Sequence, residues 1–126
     1  MDQQTYDRGL AVRRKVLGEE HVHRALAAVD DFNRDFQRLV TQYGWGEAWG
    51  DSTLTPRERS ILNLGMIAAL GKMEEFATHV RGALNNGLTK DEIREILMQV
   101  AIYGGMPAAV DSFRIAREFF AEVDKK

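Results

Sequence analysis

Thr55-Pro56-Arg57-Glu58-Arg59-Ser60-Ile61-Leu62-Asn63-Leu64-Gly65-Met66-Ile67-Ala68-Ala69-Leu70 decides the class of fold. Thr55 and Glu58 stand at the Thr-x-x-Glu spacing of a capping box, in which a hydroxyl and a carboxylate satisfy the first N–H groups of a helix. Pro56 fits the first helical position, where its fixed φ helps and its missing N–H is no loss. From Ile61 to Leu70 the chain is apolar almost all round, as expected of a central helix covered by neighbours on several sides. In a chain of 126 residues, cover on every side draws on another subunit, which argues for an oligomer.

Downstream, Thr89-Lys90-Asp91-Glu92 repeats the capping spacing just after Asn86-Gly87, whose glycine supplies the left-handed residue that closes the preceding helix. Ile93, Ile96, Leu97, Val100 and Ala101 then form one buried helical stripe. A last helix from about Pro107 carries Val110, Phe113, Ala116, Phe120 and Val123 on one face, and Lys125-Lys126 end it in accord with the helix dipole. Upstream, the first 43 residues read as two or three amphipathic helices broken at Gly18, with Phe32, Phe36, Leu39 and Val40 as the buried positions of the third. Tyr43 to Ser52 holds both tryptophans among three glycines and reads as a loop. Its indoles pin it to the core or to a neighbouring subunit, with substrate contact through Trp49 as the alternative. No stretch alternates with period 2 long enough for a strand. The expectation is a single all-α domain over residues 1–126, without linker or internal repeat.

Composition narrows the function. The chain is 44% hydrophobic and 29% charged, which suits a soluble globular protein. Its 17 Lys and Arg against 19 Asp and Glu leave a net charge of -2, so it has no basic footprint for nucleic acid. It contains no cysteine, which excludes disulfides, thiolate metal sites and thiol peroxidase chemistry. The N-terminus lacks a signal-peptide pattern and no apolar run approaches the ~20 residues of a membrane span. The expected location is the cytoplasm, with no membrane partner.

Gly71 to Arg81 is the segment richest in chemistry. Phe76, Val80, Ala83 and Leu84 define a buried stripe, and His79 falls on it, with Glu75 one turn earlier at i-4. A carboxylate there orients the imidazole and favours its charged form while burial opposes it, which places the pKa near neutrality, suited to a general acid. The competing reading is a core histidine satisfied by a local hydrogen bond. A metal site is disfavoured: Glu75 and His79 give two ligands, and His21 and His23, two apart on a helix, point in different directions. Arg57 and Arg59 sit in the first turn of the Pro56 helix, where their charge opposes the dipole. They fit an anionic ligand or, alternatively, a salt bridge between helices. Tyr103, beside Gly104-Gly105, offers its hydroxyl to a pocket or packs at a helix corner.

Together these motifs resemble the carboxymuconolactone decarboxylase family over nearly the whole chain, from about Tyr6 to Phe120. The matching segments are Tyr6-Asp7-Arg8-Gly9 with Arg13 to Gly18, Phe32 to Gln37, the Trp45 to Trp49 loop and Arg57 to Ser60. They continue with Glu75 to Ala83, Asn85 to Ile93 and Ala101 to Ala109. The resemblance implies an alkylhydroperoxidase-D-like bundle of about six to seven helices, assembled as a hexamer or trimer. The peroxidase branch of that superfamily uses a Cys-x-x-Cys pair ahead of a histidine like His79. This chain has Lys72-Met73-Glu74-Glu75 instead.

The decarboxylase branch implies conversion of γ-carboxymuconolactone to the β-ketoadipate enol-lactone and CO2 in aromatic catabolism. The lactone is its own electron sink, so no cofactor and no metal is expected. His79 then fits the acid that protonates the α-carbon, Glu75 its orienter, and Arg59 and Arg57 the holders of the spectator carboxylate, with Tyr103 and Trp49 as further substrate contacts. Three residues depart from the family pattern: Asp51 where arginine is usual, Gly104 where cysteine is common and Val110 where asparagine is frequent. The alternative is a non-redox homologue that acts on or binds another small carboxylate.

Overall fold

The structure, a computed structural model, describes residues 2–125. Those residues form seven α-helices and one π-helix, and no strand occurs among them. The helices are α1 (Gln3–Leu17), α2 (Glu19–Ala27), α3 (Arg34–Leu39), a π-helix (Val40–Ala48), α4 (Pro56–Leu70), α5 (Met73–Asn85), α6 (Lys90–Tyr103) and α7 (Met106–Asp124). The chain divides into two compact units, Met1–Pro56 and Arg57–Lys126.

In the first unit, α1 and α2 break at Gly18 as expected, at φ 95°. The segment read as a tryptophan loop is instead π-helical, and Trp49 N–H donates to the Gly44 carbonyl at 3.0 Å. Trp45 and Trp49, four positions apart, stack with ring centroids 5.0 Å apart, and Trp45 packs into the cluster of Val16, Leu17 and Val22. The expectation that Phe32, Phe36 and Leu39 are buried does not hold: they are 97%, 61% and 47% exposed, and Val40 is half-buried. The cause lies on α1, whose closest approach to this segment is made at Gly9, against Thr41 and Gly46. Backbones meet most closely where side chains are small, so the face turned to α1 is that of Gln37, Thr41 and Gly46 rather than the aromatic stripe. Buried Arg13 locks it, donating from Nη1 to Gln37 Oε1 and Thr41 Oγ1, each at 3.2 Å.

In the second unit, Leu64 and Ala68 of α4 join Phe76, Val80 and Ala83 of α5, Ile93, Leu97 and Val100 of α6, and Ala116 of α7 in one core. Thr89 and Glu92 close the full capping box, and Gly87 takes φ 93° just before it, as the sequence requires. Arg57 pairs with Glu92, and Asn86 Nδ2 donates to buried Ser60 Oγ at 2.9 Å; these contacts tie the start of α4 to the helix ends beside it. Within the second unit, α4 is covered on one side among the described residues. Only Ser60, Leu64 and Ala68 are buried, while Leu62, Met66 and Leu70 stay at least half exposed.

The buried stripe of α7 also differs from expectation. It is Ala109, Ser112 and Ala116, whereas Val110, Phe113 and Val123 are exposed and Phe120 is half-buried. Small residues let α7 lie close on α5, and its larger side chains are displaced to the flanks. Ser112 Oγ spends its hydrogen bond on the Ala108 carbonyl at 2.7 Å. Lys126 lies outside the described residues.

Candidate active site

His79 is held on the buried face of α5 with Phe76, Val80 and Ala83. The helix follows from sequence: Glu74 and Glu75 in its first turn complement the dipole, and β-branched residues are few. Phe76 precedes His79 by three positions and Ala83 follows by four, so the imidazole shares the apolar stripe that packs the core.

Burial has a direct electrostatic result. With only 9% of its surface exposed, the imidazole loses hydration of its charged form, and its pKa falls from 6.5 to about 4. The expectation of a pKa near neutrality therefore gives way to a neutral His79 at physiological pH. Desolvation prevails over the carboxylate one turn away because Glu75 is itself exposed, where water screens its charge.

A stability prediction follows. Since the folded-state pKa lies below the unfolded value, the unfolded chain binds the extra proton between pH 6.5 and 4. The neutral histidine's contribution is complete above pH 6.5 and is lost as pH falls toward 4, to a total of about 3 kcal/mol. His79→Gln removes that titration. Urea unfolding at pH 7 and pH 4 should show the wild type losing about 3 kcal/mol more than the variant; equal losses would contradict it.

The other candidates divide between the units. Arg57 and Arg59 lie in the first two turns of α4, both half-buried, with Arg57 paired to Glu92. The salt bridge weighed against an anion site for Arg57 is thus present. Arg59 sits one turn before Asn63, whose Nδ2 donates to the Arg59 carbonyl at 2.9 Å. Tyr103 is 83% exposed at the end of α6. It lines one end of an apolar groove of about 750 Å3 between α4 and α6, with Ile61, Met66, Ala69 and Ile96 along its walls. Trp49 belongs to the first unit, half-buried in its stack with Trp45, and Asp51 is close by in sequence and exposed. His21 and His23 are on α2, and among the described residues no group of three or more His, Asp or Glu is arranged to hold a metal ion.

The groove is the feature that sequence reasoning missed. Its signal was present in the all-round apolar character of Ile61 to Leu70, which was read as cover by neighbours. Gly104, one of the departures from the family pattern, lies at this groove. A Cβ there would sit 3.0 Å from the Val100 carbonyl oxygen and 3.1 Å from Ala69 Cβ, so glycine fits a tight helix corner.

An all-α, cysteine-free chain with a histidine buried on its fifth α-helix is thus the class of protein to be placed among known ones. Residues 34–118 match the carboxymuconolactone decarboxylase family, and the chain belongs to that family. It is 40% identical over 122 residues to the 4-carboxymuconolactone decarboxylase of Acinetobacter baylyi, covering 97% of this chain and 91% of that one. It is also 38% identical over 121 residues to the nitrosuccinic acid decarboxylase of Metarhizium robertsii, covering 95% and 85%.

Proposed function

We propose that the protein is a cofactor-independent carboxy-lyase that converts 4-carboxymuconolactone to the β-ketoadipate enol-lactone and CO2. The observation that carries this reading is the 40% identity to a 4-carboxymuconolactone decarboxylase along almost the whole of both chains. In the reaction the bond from the γ-carbon to its carboxylate breaks, CO2 departs, and the electron pair runs through the ring double bond into the lactone carbonyl. The resulting dienolate takes one proton at the α-carbon.

His79 is the acid in this reading. Neutral in the free protein, it acquires its proton when the anionic substrate binds, because a carboxylate brought into the same low-dielectric surroundings raises its pKa. Glu75 orients the ring from one turn away. Arg59, with Arg57 beside it, holds the carboxylate that is retained, and Tyr103 supplies a further substrate contact. The protein works in the cytoplasm as a homo-oligomer, a hexamer or trimer. The apolar side of α4 supports an oligomer, since a second chain would take Leu62, Met66 and Leu70 out of water.

The pH dependence is specific. kcat/KM reports the free protein, in which the protonated fraction of His79 falls tenfold per unit above its pKa. It should therefore decline from about pH 4 upward, while kcat holds to higher pH because bound substrate keeps the proton in place. Parallel declines of kcat and kcat/KM would contradict uptake of the proton on binding.

A second reading rests on the similarity to a nitrosuccinic acid decarboxylase. A nitro group accepts the electron pair left by CO2 as a lactone carbonyl does, so one acid and one cation could serve either substrate. Purified protein should be given each compound separately and CO2 followed. A kcat/KM at least 100-fold higher for the lactone supports the first reading; the reverse ratio transfers the assignment to a nitro acid.

A further inference from the structure

The geometry points to a second small-molecule site, in the groove between α6 and α7, that takes a carboxylate with an aromatic or alicyclic body. The groove has a volume of about 660 Å3, within the range of ligand pockets, and none of the proposed active-site residues lines it. Its floor is the buried core surface of Ile93, Leu97 and Ala116. Along α7, Phe113, Arg117 and Phe120 follow at i, i+4 and i+7, so one cation and two aromatic residues share one helix face.

Charge selects an anion. Lys90, Arg94, Arg114 and Arg117 line the groove against a single carboxylate, Glu118. Lys90 is committed to Asp124 at 2.8 Å and lies over the Phe120 ring, and Arg94 is shared between Asp91 and Glu95. Arg114 reaches Asp111 and Glu118 only at 3.8 and 3.5 Å, contacts loose enough to exchange. Arg117 forms no ion pair among the described residues. An acid with a flat apolar body therefore covers the floor and the rings while its carboxylate meets Arg117 and Arg114. A neutral molecule of the same shape leaves those guanidiniums unused.

Benzoate is the probe, titrated calorimetrically into the wild type, Arg117→Glu, Arg117→Gln and His79→Ala, with benzyl alcohol as the uncharged control. The His79 variant separates this groove from the proposed active site, and matched thermal unfolding shows that each variant is folded. The expected result is saturable benzoate binding in the wild type and, within twofold, in His79→Ala. Arg117→Glu should weaken it at least tenfold, Arg117→Gln by less, and benzyl alcohol should give no saturable heat. Absence of saturable binding in the wild type, affinity unchanged by Arg117→Glu, or loss in His79→Ala would each overturn the proposal.

Discussion

His79→Ala should reduce kcat for 4-carboxymuconolactone by 100- to 10,000-fold, about 3–5 kcal/mol of transition-state stabilisation. The size of the effect comes from the protonation step. After CO2 leaves, the dienolate needs a proton at carbon, and water supplies it far more slowly than a positioned acid. His79→Gln separates chemistry from packing, since glutamine fills most of the space and keeps a hydrogen-bonding end but cannot deliver a proton. Both variants should lose the same kcat, and added imidazole should restore part of it in His79→Ala. A loss smaller than threefold in either variant would return His79 to the role of a core histidine.

Gly9→Ala should destabilise the first unit by about 3 kcal/mol or more. A Cβ at Gly9 would lie 2.0 Å from the Thr41 carbonyl oxygen and 2.8 Å from Gly46 N, both backbone atoms that no rotamer change can clear. Helix α1 would have to lift from the π-helix, loosening the contacts of Arg13 with Gln37 and Thr41. Both tryptophans belong to this unit, so fluorescence reads its unfolding directly. Gly65→Ala is the control: nothing lies within 4 Å of a Cβ there, and it sits mid-helix in α4. It should be neutral or stabilising by up to ~1 kcal/mol. Equal fluorescence-detected midpoints in urea for Gly9→Ala and the wild type would contradict the close approach of α1.

The legible parts of the fold are those that local chemistry fixes. Thr89 and Glu92 cap α6, Gly18 and Gly87 take positive φ, and Phe76, His79 and Val80 share a buried face, because each depends on residues within one or two turns. The misread parts depend on which neighbour a helix meets. Phe32 and Phe36 carry the larger apolar surface, yet α1 packs on the face of Thr41 and Gly46, where backbones approach closely. On α7 the same preference buries Ala109, Ser112 and Ala116 instead of Val110 and Phe113. Periodicity gives a stripe its spacing but not the partner that covers it. The π-helix was hidden for a related reason: three glycines and two tryptophans read as a loop, whereas the indoles stack on each other and Trp45 packs on Val16, Leu17 and Val22.

For the site, the sequence located His79 on an inward face but not the balance of its environment. A carboxylate at i-4 and burial push the imidazole in opposite directions, and only the exposure of Glu75 against the burial of His79 decides between them.

The central claim is that His79 delivers the proton that completes decarboxylation. The most direct test runs the reaction in D2O and examines the α-carbon of the enol-lactone. The wild type should place one deuterium on a single face of that carbon, and His79→Gln, folded but slow, should give product labelled on both faces at its reduced rate. Equal labelling of both faces by the wild type, or one-sided labelling at an undiminished rate by His79→Gln, would contradict the claim.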